Sequence, residues 1–281
     1  MTLKDKLDNL ENILKSYNRI TVALSGGVDS AFLLAFSSKV LGAENVKALT
    51  AKGPHLAPDE RDYARELCAA LGIDHKIIDM DHIMSIISPN ATDRCYHCKK
   101  AIFSELKALS DDTLADGTNL DDMNDYRPGH KALAELKIAS PLKDAGLTKN
   151  EIREALEEIA KDVALSKALI LTDGTPIWEK PAFACLASRI PYGEEITEAK
   201  LSTVYKAEDL LKNLGLKQVR VRHHGDIARI EVPIEERYRF YDEALMDQIN
   251  TALKGYGFKF VTLDLGGYKM GGGFHDGQKA E

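Results

Sequence analysis

No apolar run in this chain approaches the roughly 20 residues that a membrane-spanning helix needs. The first ten residues, Met1 to Leu10, place leucines at helical spacing among acids and lysines, without the apolar core of a secretory leader. Both absences point to the cytoplasm and away from a membrane partner. Cysteine is also scarce. Four cysteines in 281 residues are too few for a disulfide scaffold, which leaves thiol or metal chemistry for them. Positive charge is in deficit, and the net charge of −7 argues against a nucleic-acid partner. There is no Gly-Lys-Ser/Thr phosphate loop of the Walker type and no G-x-G-x-x-G dinucleotide fingerprint. No internal repeat and no low-complexity segment interrupts the chain.

The most informative stretch runs from Ile20 to Ser30. Ile20 to Leu24 reads as a buried strand. It stops at Ser25-Gly26-Gly27, and a helical pattern follows from Ser30, which is placed to cap it. Two adjacent glycines let the backbone turn and bring its N–H groups close to a ligand. The positive helix end faces the same spot, so Ser25, Gly26, Gly27, Asp29 and Ser30 form a candidate phosphate site. Asp29 adds a carboxylate, which makes sense when Mg²⁺ bridges carboxylate and phosphates. Ser25-Gly26-Gly27-x-Asp29-Ser30 resembles the pyrophosphate loop of the ATP-pyrophosphatase superfamily. Those enzymes cleave ATP between the α- and β-phosphates and adenylate a substrate.

Val46–Thr50, Asp74–Asp79 and Thr113–Asp116 read as further strands, with a short fifth at Ile138–Pro141. Helices are expected from Pro58, with Cys68 on its apolar face, and over Lys99–Leu109. This alternation predicts an α/β fold with a doubly wound parallel sheet. Ligands bind such sheets at strand carboxyl ends where the strand order reverses. Asp116 and Gly117 fall at such an end, as the glycine loop does. Thr148-x-x-Glu151 is a capping box for a helix Glu151–Lys161. Beyond Thr197, a helix, a hairpin turning at His224-Gly225, a helix over Glu235–Leu253 and a strand Phe258–Leu265 form a smaller αββαβ unit. The expected division is a nucleotide-binding domain over 1–150, a connector over 151–194, a C-terminal domain over 195–270 and a mobile tail over 271–281.

Cys95 and Cys98 form a Cys-x-x-Cys just before a helix, and one such pair is ambiguous. Zinc would need further ligands. Cys185 lies in a Pro/Ala-rich loop beside Ser188 and Arg189, an unusual context for a buried structural residue. Three thiolates that converge without a fourth suit an iron–sulfur cluster with one open iron, with structural zinc and free thiols as the alternatives.

These residues together resemble the LarE family of ATP-dependent sulfur-insertion enzymes. The resemblance rests on Ser25–Ser30, Asp116 to Asp122 with Asp125 to Gly129, Pro181–Gly193, Val219 to Arg222, and Asp226 to Glu231. It implies a mononucleotide substrate, pyridinium-3,5-biscarboxylic acid mononucleotide, whose carboxylates become thiocarboxylates for a nickel-pincer cofactor. It implies ATP and Mg²⁺, and a 4Fe–4S cluster on Cys95, Cys98 and Cys185, resupplied by a sulfide donor. In other family members a lone cysteine at the position of Cys185 gives up its own sulfur and is left as dehydroalanine. A homo-oligomer is implied as well. Glu208 and Glu231 match acidic positions near the family's sulfur-transfer site, and Ser188 and Arg127 fall in its substrate-binding motifs. The connector between Ala160 and Pro176 is longer than the family pattern.

Arg220 and Arg222 alternate along a strand and so share a face. A turn at His224-Gly225 would set Arg220 opposite Arg229. Opposed like charges need an anion between them, so this face is predicted to bind the substrate phosphate or carboxylates. Arg189, next to Cys185, is expected to orient a substrate carboxylate bidentately. The competing readings are a tRNA thiolase, which wants a basic surface and more cysteine pairs, and an amidating synthetase, which has no use for Cys95, Cys98 and Cys185. A nucleotide-binding module with structural zinc is the non-enzymatic reading.

Overall fold

The β-branched run at Ile20 becomes the central strand of a parallel sheet, with Ile20, Thr21 and Val22 all buried. Burial on both faces is what turns such a strand into a continuous apolar run instead of an alternation. The computed structural model describes residues 1–124, 128–171, 173–181 and 184–268. The chain divides into two units, the first made of 1–53, 58–83 and 95–183, the second of 54–57, 84–94 and the residues from 184 onward.

In the first unit, β1 (Ile20–Ala23), β2 (Val46–Lys52), β3 (Asp74–Asp79) and β4 (Thr113–Ala115) pair in the order β3-β2-β1-β4. All three pairings are parallel, with Ile20 level with both Val46 and Thr113. The chain lays down β1, β2 and β3 in one direction and then returns to the other side of β1. The switch point of the sheet therefore lies between β1 and β4, as expected for a doubly wound sheet.

The longer helices of this unit are α1 (Leu3–Tyr17), α2 (Val28–Leu41), α3 (Pro58–Leu71), α4 (Arg94–Ala108) and α5 (Lys149–Ile159), with shorter ones at Pro128–Glu135, Pro141–Asp144 and Val163–Ser166. Helix α2 is buried around most of its circumference, from Ser30 through Ser37. It packs against both α1 and α5, which give it an apolar neighbour on more than one side. Both of those helices open with capping boxes, Thr2 with Asp5 and Thr148 with Glu151. In α5, Ile152, Ala155, Leu156 and Ile159 follow the helical period into the core. Cys68 is buried on α3, as its apolar face predicts.

The second unit contains α6 (Glu198–Asn213), β5 (Arg220–His224), β6 (Ile227–Glu231), α7 (Glu243–Gly255) and β7 (Phe260–Leu263). Strand β6 pairs antiparallel with β5 and parallel with β7, so the order is αββαβ as expected. Its core is built from Ala207, Leu211, Val219, Val221, Ala228, Ile230, Ile249 and Leu253.

Several boundaries differ from the sequence expectation. Ser30 does not cap α2; the helix starts at Val28 and Gly27 is its N-cap. Cys95 and Cys98 lie inside the first two turns of α4, not before it. The fifth strand reduces to one bridge between Ala115 and Ala139, because Ser140 and Pro141 turn at once into a short helix, Pro141–Asp144. Proline has no N–H to extend a ladder. The hairpin turns at Gly225-Asp226, and Gly225 takes a left-handed φ of +56° there. The helix expected over Glu235–Leu253 is cut at Asp242, whose side chain accepts from Ala244 N and Leu245 N and starts α7 anew. The tail 271–281 lies outside the described residues. Among the described residues no helix is long and apolar enough to cross a membrane.

Leu33 is fully buried in α2. Leu33→Ala is expected to cost roughly 2–5 kcal/mol through lost transfer energy and the cavity left behind, read as a fall in the urea midpoint at unchanged m.

Candidate functional site

The first unit gathers its chemistry at the switch point. Gly27 holds an extended backbone, φ −81° and ψ 165°, and makes no side-chain cap to α2. The first-turn N–H groups of α2 therefore have no capping side chain across them, and they form the positive end of the helix dipole. Ser30 closes the loop from within. Its hydroxyl lies 3.0 Å from Ser25 Oγ, accepts from Ser25 N and donates to Gly27 O. Gly26 has φ +83°, and a Cβ there would come within 2.1 Å of Glu60 O. Gly117 is needed for a different reason, since a Cβ on it would lie 2.8 Å from Ser30 N. The exit of β4 thus runs directly against the first turn of α2.

Asp116 is buried and accepts from Ser140 Oγ at 2.8 Å and from Thr118 N at 3.2 Å, with a further bond from the Thr118 hydroxyl. It shapes the turn that delivers Asn119. The Asn119 amide donates to Asp29 Oδ2 at 3.2 Å, while Asn119 and Asp122 exchange two backbone-to-side-chain bonds. Lys149, at the start of α5, pairs with Asp122 at 2.9 Å, and its backbone N–H donates to Asp121. Asp121 is therefore a capping residue for α5. Burial, and then the negative charge of Asp122, push the Asp29 carboxyl up to about 6. Two carboxylates in one pocket of charge suit a divalent cation, which favours the ionised forms of both. Asn119, Asp122 and Lys149 have no role in the sequence reading. Asn119 and Asp122 lie inside the Asp116–Asp122 motif, which was the available signal.

In the second unit, Cys185 is exposed and opens the short helical turn Leu186–Arg189. Its thiol donates to His55 O at 3.3 Å, and Leu186 N donates to the same oxygen at 3.0 Å. His55 itself is buried; burial first, and the Arg94 charge second, lower its pKa to about 4, so it is neutral at pH 7. Nothing in the sequence singles out His55.

Arg189 is completely buried. Its guanidinium grips both oxygens of Glu208 at 2.8 and 2.9 Å and donates to Ala184 O, Cys185 O and Ser188 Oγ. The expected role of orienting a substrate carboxylate does not fit, because these partners already occupy the fork. Arg189 instead holds the Cys185 turn onto α6. Glu208 also accepts from Val221 N at 2.9 Å, which ties that turn to β5. Glu208 and Glu231 are both buried, so neither is a surface charge.

The turn at Gly225-Asp226 shifts the expected hairpin register by two residues: Arg220 lies opposite Glu231, and Arg222 opposite Arg229. The anion between the two arginines is Glu231, which accepts from Arg222 at 2.8 and 3.0 Å and from Arg229 at 3.0 Å. Arg222 also donates to Ser188 O at 2.9 Å. Arg220 is buried, donates to Val219 O and stacks 5.2 Å from the Tyr268 ring centroid. Burial, and then the Arg189 charge, depress its pKa. Four guanidiniums, of Arg189, Arg220, Arg222 and Arg229, meet three carboxylates, of Glu208, Glu231 and Asp264.

Cys95 and Cys98, three residues apart, share a face at the start of α4, where Cys95 is exposed and Cys98 half-buried. Burial raises the Cys68 thiol to about 12, so it stays protonated in the core. Among the described residues, no three His, Cys, Asp or Glu side chains stand together as a metal site. Arg127 and Asp125 lie outside the described residues.

Two outcomes follow. An acid whose folded pKa is raised destabilises the fold as pH climbs from its unfolded value, 3.8, through about 6, because the unfolded chain ionises first. Asp29→Asn should therefore gain stability over the wild type across that window, levelling at about 3 kcal/mol above it, in urea titrations at stepped pH without metal. Arg189→Met strands Glu208 and should cost about 3–5 kcal/mol, while Arg189→Met with Glu208→Gln should cost clearly less; equal losses in the two would contradict the pairing.

The profile of the NAD synthase family matches residues 2–108, ending with α4. The chain is 38% identical over 274 residues to an uncharacterised protein of Synechocystis, covering 96% of this chain and 97% of that one. It is 37% identical over 275 residues to the pyridinium-3,5-bisthiocarboxylic acid mononucleotide synthase of Lactiplantibacillus plantarum, covering 96% and 94%. Likeness to the NH₃-dependent NAD⁺ synthetase of Methanoregula boonei, 38% identical, spans only 66 residues, 24% of this chain and 27% of that one. The kinship with NAD synthetases is thus partial, whereas the kinship with the mononucleotide synthase runs the length of the chain. The chain belongs to the LarE-type family that includes the pyridinium-3,5-bisthiocarboxylic acid mononucleotide synthase.

Proposed function

We propose that this protein is an ATP-dependent sulfurtransferase that adenylates the carboxylates of pyridinium-3,5-biscarboxylic acid mononucleotide and converts them to thiocarboxylates for a nickel-pincer cofactor. The observation that carries this reading is the 37% identity to the Lactiplantibacillus synthase across nearly both chains. The uncapped start of α2 beside Asp29 and Asp122 supports its ATP half.

In the first step a substrate carboxylate oxygen attacks the ATP α-phosphorus, the bond to the bridging oxygen breaks, and pyrophosphate leaves. The chain's part is positioning and charge neutralisation. Backbone N–H groups of the Ser25–Ser30 loop hold the phosphates, and Lys149 balances the acidic pair. Asp29 and Asp122 are the residues to hold Mg²⁺, which offsets charge on the leaving pyrophosphate. In the second step a sulfur nucleophile attacks the acyl carbon and AMP leaves with the mixed-anhydride electrons. Arg220, with Arg222 beside it on the same strand, is the residue to receive the substrate phosphate, and Glu231 holds Arg222 in place.

For the sulfur, Cys95, Cys98 and Cys185 are the candidate ligands of a 4Fe–4S cluster. They are the three thiols that reach the surface, whereas Cys68 is sealed in the core. Such a cluster, when bound, supplies an open iron that carries sulfide. A sulfide donor, a homo-oligomer and a cytoplasmic location complete the reading.

The test is anaerobic turnover with ATP, Mg²⁺ and the biscarboxylate, scoring AMP, pyrophosphate and thiocarboxylate, with iron and labile-sulfide analysis of the protein. No AMP or pyrophosphate would sink the reading. Zinc, or no metal, would remove the cluster, and dehydroalanine at Cys185 in the mass spectrum would favour a sacrificial cysteine. Cys185→Ser is expected to keep substrate-dependent pyrophosphate release within about threefold and to lose thiocarboxylate product, since the two half-reactions use different atoms.

A further inference from the structure

The segment just before the Cys185 loop is strapped to the phosphate loop. Ile177–Glu179 forms a short helical turn, and Arg153 of α5 holds its end by donating to Trp178 O and to Lys180 O, the latter at 2.8 Å. This anchoring delivers the Lys180 side chain to the outer edge of the Ser25–Ser30 loop. There its ammonium donates to Gly26 O at 2.9 Å, pairs with Glu60 at 2.7 Å and lies 5.4 Å from the Tyr63 ring centroid. Both partners of the ion pair are mostly buried, at 15% and 13% exposure. The contact is therefore more than a solvated surface bridge.

Its consequence follows from peptide geometry. The peptide joining Gly26 and Gly27 is trans and planar, so its C=O and N–H point in opposite directions. Glycine at Gly26 imposes little preference of its own on that peptide. A cation on Gly26 O fixes the carbonyl outward and turns the Gly27 N–H inward, where it now donates to Ser25 Oγ at 3.3 Å. Gly26 is also pressed against the backbone of Glu60.

We infer that Lys180 is a positioning residue for ATP: it clamps the Gly26 carbonyl so that the Gly27 N–H is aimed at the phosphates before they arrive. This rests on the reading of Ser25–Ser30 as the ATP phosphate loop. Lys180 acts on the loop and not on the reacting atoms, so its loss weakens binding in the ground state and the transition state alike.

The decisive comparison is Glu60→Gln against Glu60→Gln with Lys180→Met. Glu60→Gln leaves the Lys180 ammonium with Gly26 O and an amide oxygen as acceptors, whereas the double variant removes both charges. Any destabilisation therefore falls on Glu60→Gln and cannot produce a weaker double variant. Urea midpoints of both are read first to establish that each is folded. Isothermal titration with ATP and Mg²⁺ should give the double variant a Kd at least tenfold above that of Glu60→Gln. In pyrophosphate release, KM for ATP should rise in parallel, with kcat changed less than threefold. Equal affinities would overturn the inference, as would a loss confined to kcat. A wild-type protein that binds no ATP would instead overturn the phosphate-loop reading itself.

Discussion

A helix that begins without a side-chain cap is the constraint on which the first unit depends. Glycine at an N-cap gives up only a few tenths of a kcal/mol (roughly) against serine or aspartate. It leaves the N–H groups of α2 facing outward at the carboxyl end of the central strand. Everything nearby respects that opening. Ser30 folds its hydroxyl back into the loop, Gly117 lets β4 exit against the first turn of α2, and Asn119 steers the Asp29 carboxylate. A full-sized side chain at Gly26 or Gly117 would meet backbone, so the loop is specified by what is missing from it.

The second unit solves the opposite problem. It buries full charges and makes each one depend on another. Arg189 and Glu208 have almost no contact with solvent, and Glu231 serves two arginines at once. Buried pairs of this kind are weak sources of stability but tolerate little loss of geometry. They bind the Cys185 turn, α6 and the β5–β6 hairpin into one framework. The exposed thiol thus sits on a turn whose backbone oxygens are held by a buried guanidinium.

Much of the fold was legible because its signals are local. The Ile20 run, the Thr148-x-x-Glu151 box and the αββαβ order rest on hydrophobic period, capping and turn residues within a few positions of each other. The glycine turn at Ser25–Gly27 was legible for the same reason. Errors arose where two local signals competed. Ser30 has the chemistry of a cap, but Gly27 has the backbone freedom and comes first. His224-Gly225 and Gly225-Asp226 are both acceptable turns, and a two-residue shift keeps the same side chains on the same face, so alternation cannot choose between them. That shift replaced an arginine opposite Arg220 with Glu231.

By itself, the sequence determined the class of the fold, the glycine turn between β1 and α2 and the separation of Cys95, Cys98 and Cys185 from the core cysteine Cys68. These follow from periodicity, glycine and apolar context, which short segments carry whole. Only the tertiary structure decided which charge answers which. Arg189 went to Glu208, Lys149 to Asp122, and Lys180 to Gly26 and Glu60. A charged side chain in sequence has no fixed partner. Its role is set by which segment the chain brings back beside it, and by how far burial strengthens their attraction over what water would allow.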